Sequence, residues 1–376
     1  MNIYFDNAAT TAAREEVIEL MTQVMREDYG NPSSTHIMGR RASVVLETAR
    51  GNLAAAIGAR EDEIYFTSGG TEADNWAVFG CAEAFYRRGK HIITSETEHG
   101  AISEPIKKLE KAGWEISYLT PDSSGRISGE MFASALRKDT VFASIMLVNN
   151  ETGAVNPVGE YAKAIKCGGF DTILHTDAVQ GLCKIPFSVK SPGADLISVS
   201  AHKLHGPKGA GALYIKNSVK LPPFIIGGAH EKGKRAGTVA LPAIAGFGEA
   251  VRLGISELTE TADSVRGIRE HVIQRLREEL SEAVVIGDGD SPYILSVSLP
   301  GYKSEVLMSF LEAEGICVSK SAACKKGARS KVLESMRLKN DVIDGALRVS
   351  FSRYNTLSEA DYFVEALKKA ASQIIK

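Results

Sequence analysis

The amino-acid sequence predicts an α/β protein with a mostly parallel seven-stranded sheet and a second, smaller α+β domain. Three observations predict this fold. Between residues 60 and 216, short β-branched or apolar runs alternate with amphipathic stretches of helical length. Polar clusters follow several of these runs, as ligand-binding loops do in parallel sheets. After residue 242 the pattern changes to long helical stretches rich in Glu, Arg and Ala.

The elements of the large sheet follow in chain order. Strands are predicted at residues 63–67, 91–95, 116–119, 141–148, 173–176, 196–200 and 211–215. Helices are predicted between them at residues 72–88, 101–112, 130–137 and 159–167. Strands that alternate with helices form βαβ units, so helices should cover both faces of this sheet.

The last third of the chain predicts the smaller domain. Residues 243–282 show a nearly unbroken helical pattern, and a final helix closes the chain. Strand-like runs are predicted at residues 294–299 and 316–319, and a final apolar run lies at residues 347–351. We therefore expect a large domain over residues 15–250 and a small domain formed by residues 1–14 and 251–376.

Charge and hydropathy exclude two function classes. The chain has 44 basic and 46 acidic residues, so no basic excess is available for bulk binding to nucleic acid. No apolar run approaches the roughly 18 residues that span a bilayer, and the first residues lack the pattern of a secretory signal. We expect no direct nucleic-acid or membrane partner and a cytoplasmic location.

The cysteine pattern argues against a disulfide framework or a metal site. The five cysteines show no Cys-x-x-Cys spacing, and their number is odd; they are Cys81, Cys167, Cys183, Cys317 and Cys324. A reducing compartment is the default for such a set. We expect one cysteine to be chemically active and the other four, including Cys317, to be buried small apolar residues.

Three clusters suggest chemistry at the ends of predicted strands. Gly70 and Thr71 lie where a strand passes into a helix, a site that favours a bound phosphate, although Thr71 as a helix N-cap explains them as well. Asp177 ends an apolar strand and either pairs with a protonated ring nitrogen or caps the next helix. Lys203 follows another strand among small and polar residues, which suits Schiff-base chemistry better than a surface charge. Together they match the three contacts that pyridoxal 5'-phosphate requires.

A series of short motifs extends this pattern over almost the whole chain. The motifs are residues 4–11 (YFDNAATT), 31–36 (NPSSTH), 67–75 (TSGGTEADN), 97–99 (TEH), 148–153 (VNNETG), 235–238 (RAGT) and 348–350 (RVS). This series resembles the cysteine desulfurases, members of the class V aminotransferase family of fold-type I pyridoxal-phosphate enzymes. The resemblance implies removal of sulfur from L-cysteine to give L-alanine.

The resemblance also assigns the cofactor contacts. Lys203 would carry pyridoxal 5'-phosphate as a Schiff base, and Asp177 would keep its ring nitrogen protonated. His99 would stack on the ring, and Gln180 would bond its hydroxyl. The phosphate would be held by Gly70, Thr71, Ser200 and His202. Thr238 would reach the cofactor of the partner subunit, which implies a homodimer.

The remaining assignments concern the substrate and the sulfur. The resemblance implies that Asn150 and Arg348 hold the substrate carboxylate, a task that suits a guanidinium fork. Cys324 lies in a small-residue, lysine-containing stretch and would take up the sulfur as a persulfide, since neighbouring lysines favour the thiolate. An acceptor protein would then receive the sulfur for iron–sulfur clusters or for thiolation of tRNA or a cofactor.

The chain departs from the family pattern at several positions, and other functions remain open. His230 and Ala240 stand where glutamine and asparagine are usual in the family. Lys325 and Lys326 are unusual beside the cysteine and suggest an acidic acceptor. The alternatives are a selenocysteine lyase, another class V aminotransferase-like enzyme, or a non-catalytic sulfur-relay subunit that kept the fold.

Overall fold

The computed structural model describes residues 2–189, 193–287, 289–321 and 329–374. Its strands are β1 (Ile3–Tyr4), β2 (Ile64–Thr67), β3 (His91–Ser95), β4 (Glu115–Leu119), β5 (Thr140–Ser144), β6 (Ile173–Asp177), β7 (Leu196–Ser200), β8 (Gly211–Ile215), β9 (Val284–Ile286), β10 (Ile294–Ser298), β11 (Ile316–Cys317), β12 (Ser319–Lys320) and β13 (Ala346–Ser350). Its helices are α1 (Glu15–Glu27), α2 (Ile37–Ile57), α3 (Gly70–Phe85), α4 (Gly100–Lys111), α5 (Gly129–Ala135), α6 (Val158–Gly168), α7 (Leu241–Ser256), α8 (Leu258–Glu279), α9 (Ser304–Ala313), α10 (Lys331–Ser335), α11 (Asn340–Asp344) and α12 (Leu357–Gln373). No helix among these residues combines the length and the apolarity that crossing a membrane requires.

The large sheet has seven strands in the order β2-β8-β7-β6-β5-β3-β4. Neighbouring strands from β7 to β4 pair in parallel, whereas β8 is antiparallel to both β7 and β2. The predicted mostly parallel seven-stranded sheet is therefore confirmed. Because all strands except β8 point the same way, the loops that follow them meet at one edge of the sheet.

Three predicted elements differ from the structure. The strand predicted at 141–148 ends at Ser144, because the chain then leaves the sheet and Val148 forms only an isolated bridge with Val155. The helical pattern at 243–282 is two helices, since Glu257 between them has a non-helical backbone (φ −111°, ψ 9°). The run at 316–319 divides into β11, which pairs with β1, and β12, which pairs with β13.

The first 60 residues contain two helices for which the sequence pattern predicted no element. Both α1 and α2 pack against α7. α2 ends at Gly58, which has the left-handed conformation (φ 72°) that glycine adopts without steric cost. Its buried side includes Leu46, Leu53 and Ile57, so tertiary packing holds the helix in place.

The buried apolar residues form separate clusters. One joins α2, the large sheet and α7, with Leu53 and Phe247 at its centre. Another joins the N-terminal strand to the last third of the chain, where the Phe5 ring lies 5.4 Å from Phe351 and 5.9 Å from Phe363 between centroids. We keep the division into residues 15–250 and residues 1–14 with 251–376 as a proposal.

The cysteine prediction needs a correction. Cys81 and Cys183 are buried, but Cys167 is exposed and Cys317 is only partly buried. Cys167 lies in the last turn of α6, on the solvent side of that helix, and Cys317 is the last residue of the two-residue strand β11. Among the described residues no group of His, Cys, Asp or Glu side chains is arranged to hold a metal ion.

Candidate active site

A cavity of about 830 Å³ opens at the edge of the sheet where the parallel strands end. It brings together most of the predicted site residues, and its lining includes Gly70, Thr71, His99, Asn150, Asp177, Gln180, Ser200, His202, Lys203 and Arg348. Thr238 is exposed and does not line this cavity. Cys324, Lys325 and Lys326 lie outside the described residues.

One end of the cavity is the N-terminus of α3. The helix begins at Gly70 with Gly69 as its N-cap, so Thr71 is inside the helix and is not the cap. A side chain at Gly70 would place its Cβ 2.7 Å from Val179 Cγ2, so Val179 would have to move to admit any larger residue. The first-turn N–H groups of a helix have no partner within the helix, and the helix dipole adds positive potential. This end of the cavity therefore suits an anion.

His202 and Ser200 border the same end of the cavity. The ring of His202 contacts the Thr10 hydroxyl (Nδ1 to Oγ1, 3.1 Å). Burial and the nearby Lys203 and Lys208 lower the pKa of His202 to about 4, so its ring is neutral at pH 7. A neutral imidazole can donate one hydrogen bond to an anion without adding charge.

Asp177 is the last residue of β6 and is buried. The N–H of Val179 donates to its Oδ1 at 2.9 Å, so one oxygen caps the following turn while the residue also lines the cavity. Burial raises the pKa of Asp177, and the hydrogen bond from Val179 and the positive charge of Lys203 oppose that rise. A cation placed against this carboxylate would stabilise its ionised form.

His99 is the N-cap of α4, and its ring lines the cavity. The N–H of Ala101 donates to Nδ1 at 3.1 Å. Because Nδ1 accepts this bond, the neutral ring carries its hydrogen on Nε2. The helix thus fixes both the position and the tautomer of the imidazole.

Lys203 closes the single turn that follows β7. Its ammonium donates to the carbonyl oxygens of Ala8 (2.6 Å) and Ala9 (2.7 Å), which belong to the N-terminal segment. Burial first, and then the positive charge of Arg348, lower the pKa of Lys203 to about 8. A sizeable fraction of this amine is therefore neutral, and nucleophilic, near physiological pH.

Arg348 is a fully enclosed cation on β13, with 2% of its surface exposed. It donates from Nη2 to Asp6 Oδ1 at 2.9 Å and from Nη1 to the carbonyl of Asn150 at 3.0 Å. Nε has no hydrogen-bond partner among the described residues. Asn149 holds the turn that carries Asn150, because its Oδ1 accepts the N–H groups of Glu151 and Thr152.

Three buried or partly buried acids in the cavity wall were not predicted from the sequence. Asp74 and Glu98 are buried, and Glu151 is partly buried. Burial raises the pKa of Glu98 to about 8, although Ser95 Oγ (2.7 Å) and Met146 N (2.9 Å) donate to its Oε1. Burial likewise raises the pKa of Glu151 to about 7. The sequence gives little indication of these acids. Glu98 lies between Thr97 and His99 in one motif, but acidic residues are mostly exposed, so the sequence alone would place it at the surface.

Comparison with known families decides what kind of protein this is. The family model "Aminotransferase class-V" matches residues 3–363.

The chain belongs to the class V aminotransferase family.

Two relatives within this family are named as cysteine desulfurases. The "Cysteine desulfurase IscS" of Dictyoglomus turgidum is 40% identical, over 99% of this chain and 95% of that protein. The "Putative cysteine desulfurase IscS 1" of Bacillus subtilis is 39% identical, over 100% of this chain and 98% of that protein. The resemblance found in the sequence is thus confirmed.

Solved structures also support membership of the class V aminotransferase family, because their folds superpose on this one. A structure titled "NifS-like protein" superposes with a TM-score of 0.94 at 38% identity and covers 100% of both chains. A second, "SspA in complex with cysteine", gives a TM-score of 0.83 at 30% identity and covers 94% of this chain and 100% of that chain. The fold-type I architecture predicted from the sequence is therefore confirmed.

Proposed function

We propose that this chain is a cysteine desulfurase that uses pyridoxal 5'-phosphate. The observation that carries the proposal is Lys203, an amine with a pKa lowered to about 8 in the cavity that also contains Asp177 and the N-terminus of α3. Lysine amines with lowered pKa suit Schiff-base chemistry. The cysteine desulfurases among the relatives support the choice of substrate.

The residues of the cavity fit this cofactor. Gly70 has no side chain at the N-terminus of α3, where a phosphate would bind, and Thr71, Ser200 and His202 line the same cavity as further donors. Several buried polar atoms in the wall lack a hydrogen-bond partner among the described residues; they are Asp74 Oδ1, Glu98 Oε2 and Arg348 Nε. A polar ligand would satisfy such atoms. Asp177, His99 and Gln180 would then hold the ring.

The chemistry divides between the cofactor and the chain. When bound, pyridoxal 5'-phosphate supplies an electron sink that stabilises negative charge at the substrate Cα. Lys203 would be the base that removes the Cα proton, because its lowered pKa lets its amine accept a proton near neutral pH. Arg348 would bind the substrate carboxylate, and its Nε is a donor that no described residue uses.

Cys324 would complete the reaction. Its thiolate attacks the sulfur of the substrate, the bond between that sulfur and Cβ breaks, and the sulfur remains on Cys324 as a persulfide. The organic fragment takes up protons and leaves as L-alanine, so the atoms of L-cysteine are conserved between the two products. An acceptor protein then removes the outer sulfur.

We also propose that the enzyme is a homodimer with shared sites. Thr238 is exposed and lies outside the cavity of its own subunit, in line with a contact to the cofactor of a second subunit. Ile226 in the same segment is 89% exposed, and a partner surface would cover this large apolar side chain.

The test is the release of sulfide and alanine from L-cysteine in the presence of a thiol reductant. We expect equal amounts of both products from the wild type and neither from Cys324→Ala. Cys167→Ala is the matched control, because Cys167 is exposed and outside the cavity, and it should keep wild-type rates. Alanine formation at an unchanged rate in Cys324→Ala would contradict the persulfide step.

The same assay separates the alternatives. A selenocysteine lyase would release selenide from L-selenocysteine but turn over L-cysteine slowly or not at all. An aminotransferase would convert its amino acid to a 2-oxo acid and would not need Cys324. A relay subunit would form no product with either amino acid and would not bind pyridoxal 5'-phosphate.

A further inference from the structure

Lys184 is a buried lysine next to the proposed cofactor site. It lies in the turn after β6, four residues beyond Gln180, and 7% of its surface is exposed. Hydrogen bonds from Gly181 N to Ala178 O and from Lys184 N to Gly181 O form two consecutive turns. Cys183, directly before Lys184, has a left-handed backbone (φ 58°), and the turns bring the side chain of Lys184 back against that of Gln180.

The side chains form a short hydrogen-bond chain that ends at Lys203. Lys184 Nζ donates to Gln180 Oε1 at 2.8 Å. Gln180 Nε2 donates to the carbonyl of Ala8 at 2.8 Å. The same carbonyl accepts from Lys203 Nζ at 2.6 Å. Lys184 is thus connected to the Schiff-base lysine through one amide and one carbonyl.

This chain determines which way the Gln180 amide points. A lysine amine carries N–H donors in both protonation states, and a lysine ammonium has no acceptor. The amide oxygen of Gln180 must therefore face Lys184, and its NH₂ group must face Ala8 and the cavity. The reversed amide would place its oxygen against the carbonyl oxygen of Ala8, which is repulsive. Lys184 and the carbonyl of Ala8 therefore favour the same orientation of the amide, one from each end.

The surroundings of Lys184 give it no other obvious structural role. No carboxylate of the described residues lies within ion-pair distance of Lys184, and its ammonium is 5.8 Å from the centre of the Tyr293 ring. Burial and the positive charges of Lys203 and Arg348 lower its pKa to about 7. A buried amine in such surroundings costs stability, since a methionine of similar length would avoid the desolvation penalty. A role in the site would explain why a lysine that lowers the stability of the protein is buried at this position.

We propose that Lys184 is a positioning residue that holds the Gln180 amide with its N–H toward the ring hydroxyl of the cofactor. This inference rests on the proposed function, because it assumes that the cavity binds pyridoxal 5'-phosphate. Lys184 does not touch the reacting atoms. It acts only through Gln180, and that dependence makes the proposal testable.

A double-mutant cycle on cofactor affinity tests this dependence. The cofactor-free protein is titrated with pyridoxal 5'-phosphate, and the dissociation constant is read from the absorbance of the bound form. We expect Lys184→Met and Gln180→Ala each to weaken binding about tenfold, the equivalent of one lost hydrogen bond. The double variant should be no weaker than Gln180→Ala alone. An equal further loss from Lys184→Met in the Gln180→Ala background would overturn the proposal.

Two more variants exclude a general loss of structure. Lys184→Arg keeps the N–H donors, and a neighbouring cavity of about 30 Å³, which Lys184 lines, gives room for the larger group, so we expect affinity within about threefold of the wild type. Lys216→Met changes an exposed lysine outside the cavity and should bind like the wild type. Binding by Lys184→Arg as weak as that of Gln180→Ala would also overturn the proposal. If the wild type itself does not bind the cofactor, the proposed function fails instead.

Discussion

At the scale of single residues, burial brings a base and an acid of this cavity to similar proton affinities. It lowers the pKa of Lys203 to about 8 and raises that of Glu98 to about 8. Both shifts have one cause, because an interior of low polarity disfavours the charged form of either group. Near neutral pH the cavity therefore contains a partly neutral amine and a protonated carboxyl, and both changes can be measured.

The first prediction concerns Lys203. In the cofactor-free protein, its reaction with an amine-acylating reagent, followed by peptide mass spectrometry over pH, should have a midpoint near 8. Arg348→Met should raise this midpoint, because it removes a positive charge, and Asp177→Asn should lower it, because it removes a negative one. Free N-acetyl-lysine in the same reaction is the reference. Shifts of the opposite sign would refute the assignment of the charges.

The second prediction concerns Glu98. Its pKa rises from 4.5 to about 8 on folding, so between these pH values the unfolded chain loses a proton that the native state keeps. Stability should therefore fall as the pH rises from about 4.5 to about 8 and then level off. Glu98→Gln has no proton to lose. We expect its free energy of unfolding to gain on that of the wild type over this range, by about 4 kcal/mol at pH 8.

A matched variant controls for loss of the side-chain contacts. Glu98→Gln keeps an oxygen to accept from Ser95 and Met146, whereas Glu98→Ala keeps none. The alanine variant should be less stable than the glutamine variant at every pH, since it leaves buried donors without a partner. A stability difference between wild type and Glu98→Gln that does not depend on pH would show that Glu98 is already ionised in the native protein.

At the scale of elements, the segment between β8 and α7 is held by one buried ion pair. Glu231 accepts from both terminal nitrogens of Arg50 at 2.8 Å and from the N–H of Phe66 at 2.9 Å. Glu231 and Lys232 have left-handed backbones (φ 46° and 56°), which non-glycine residues adopt only when tertiary contacts enforce them. The ion pair between Glu231 and Arg50 of α2 thus positions the segment that carries Thr238.

The third prediction follows from this pair. Glu231→Gln removes the charge partner of Arg50 and leaves a buried guanidinium uncompensated, so we expect a loss of about 3 kcal/mol in unfolding free energy. Glu249→Gln is the control, because its partner Arg252 is 53% exposed and such pairs contribute less than about 1 kcal/mol. Chemical denaturation measures both. Equal losses in the two variants would contradict a special role for the buried pair.

At the scale of the whole molecule, the site is built from distant parts of the chain. β1 pairs with β11, and the segment after β1 brings Ala8 and Ala9 to Lys203. Asp6 reaches Arg348 on β13 in the same way. The cavity is therefore bordered by the N-terminal segment, the large sheet and the last third of the chain, and the proposed dimer would add Thr238.

The fourth prediction tests the shared site by complementation. A Lys203→Ala subunit has no functional site of its own, and a Thr238→Ala subunit lacks the contact that it would give to its partner. A mixed dimer of the two has one site with both residues intact. We expect the mixture to regain wild-type cofactor affinity in that site, read as absorbance retained at low cofactor concentration. No gain over the separate variants would contradict a contribution of Thr238 across the interface.

The sequence by itself determined the fold class and most of the residues of the cavity. Strand and helix periods are local properties, so β3, β6, β7 and β8 were predicted within a residue of their bounds. Asp177 and Lys203 were found because functional side chains follow strand ends in parallel sheets. The family motifs located His99 and Arg348, whose roles local spacing alone would not reveal.

The tertiary structure decided the contacts and charges that spacing does not encode. The Ala8 carbonyl meets Lys203 across 195 positions of sequence, and only the folded chain brings them together. The raised pKa of Glu98 and the lowered pKa of Lys184 depend on complete burial, which follows from packing and not from neighbouring residues. Helix α2 and the break at Glu257 were missed for the same reason, because packing and the ion pairs of Glu257 with Arg14 and Arg353 hold them. Helix α1 was missed although its sequence is amphipathic at the helical period, a local pattern that could have predicted it.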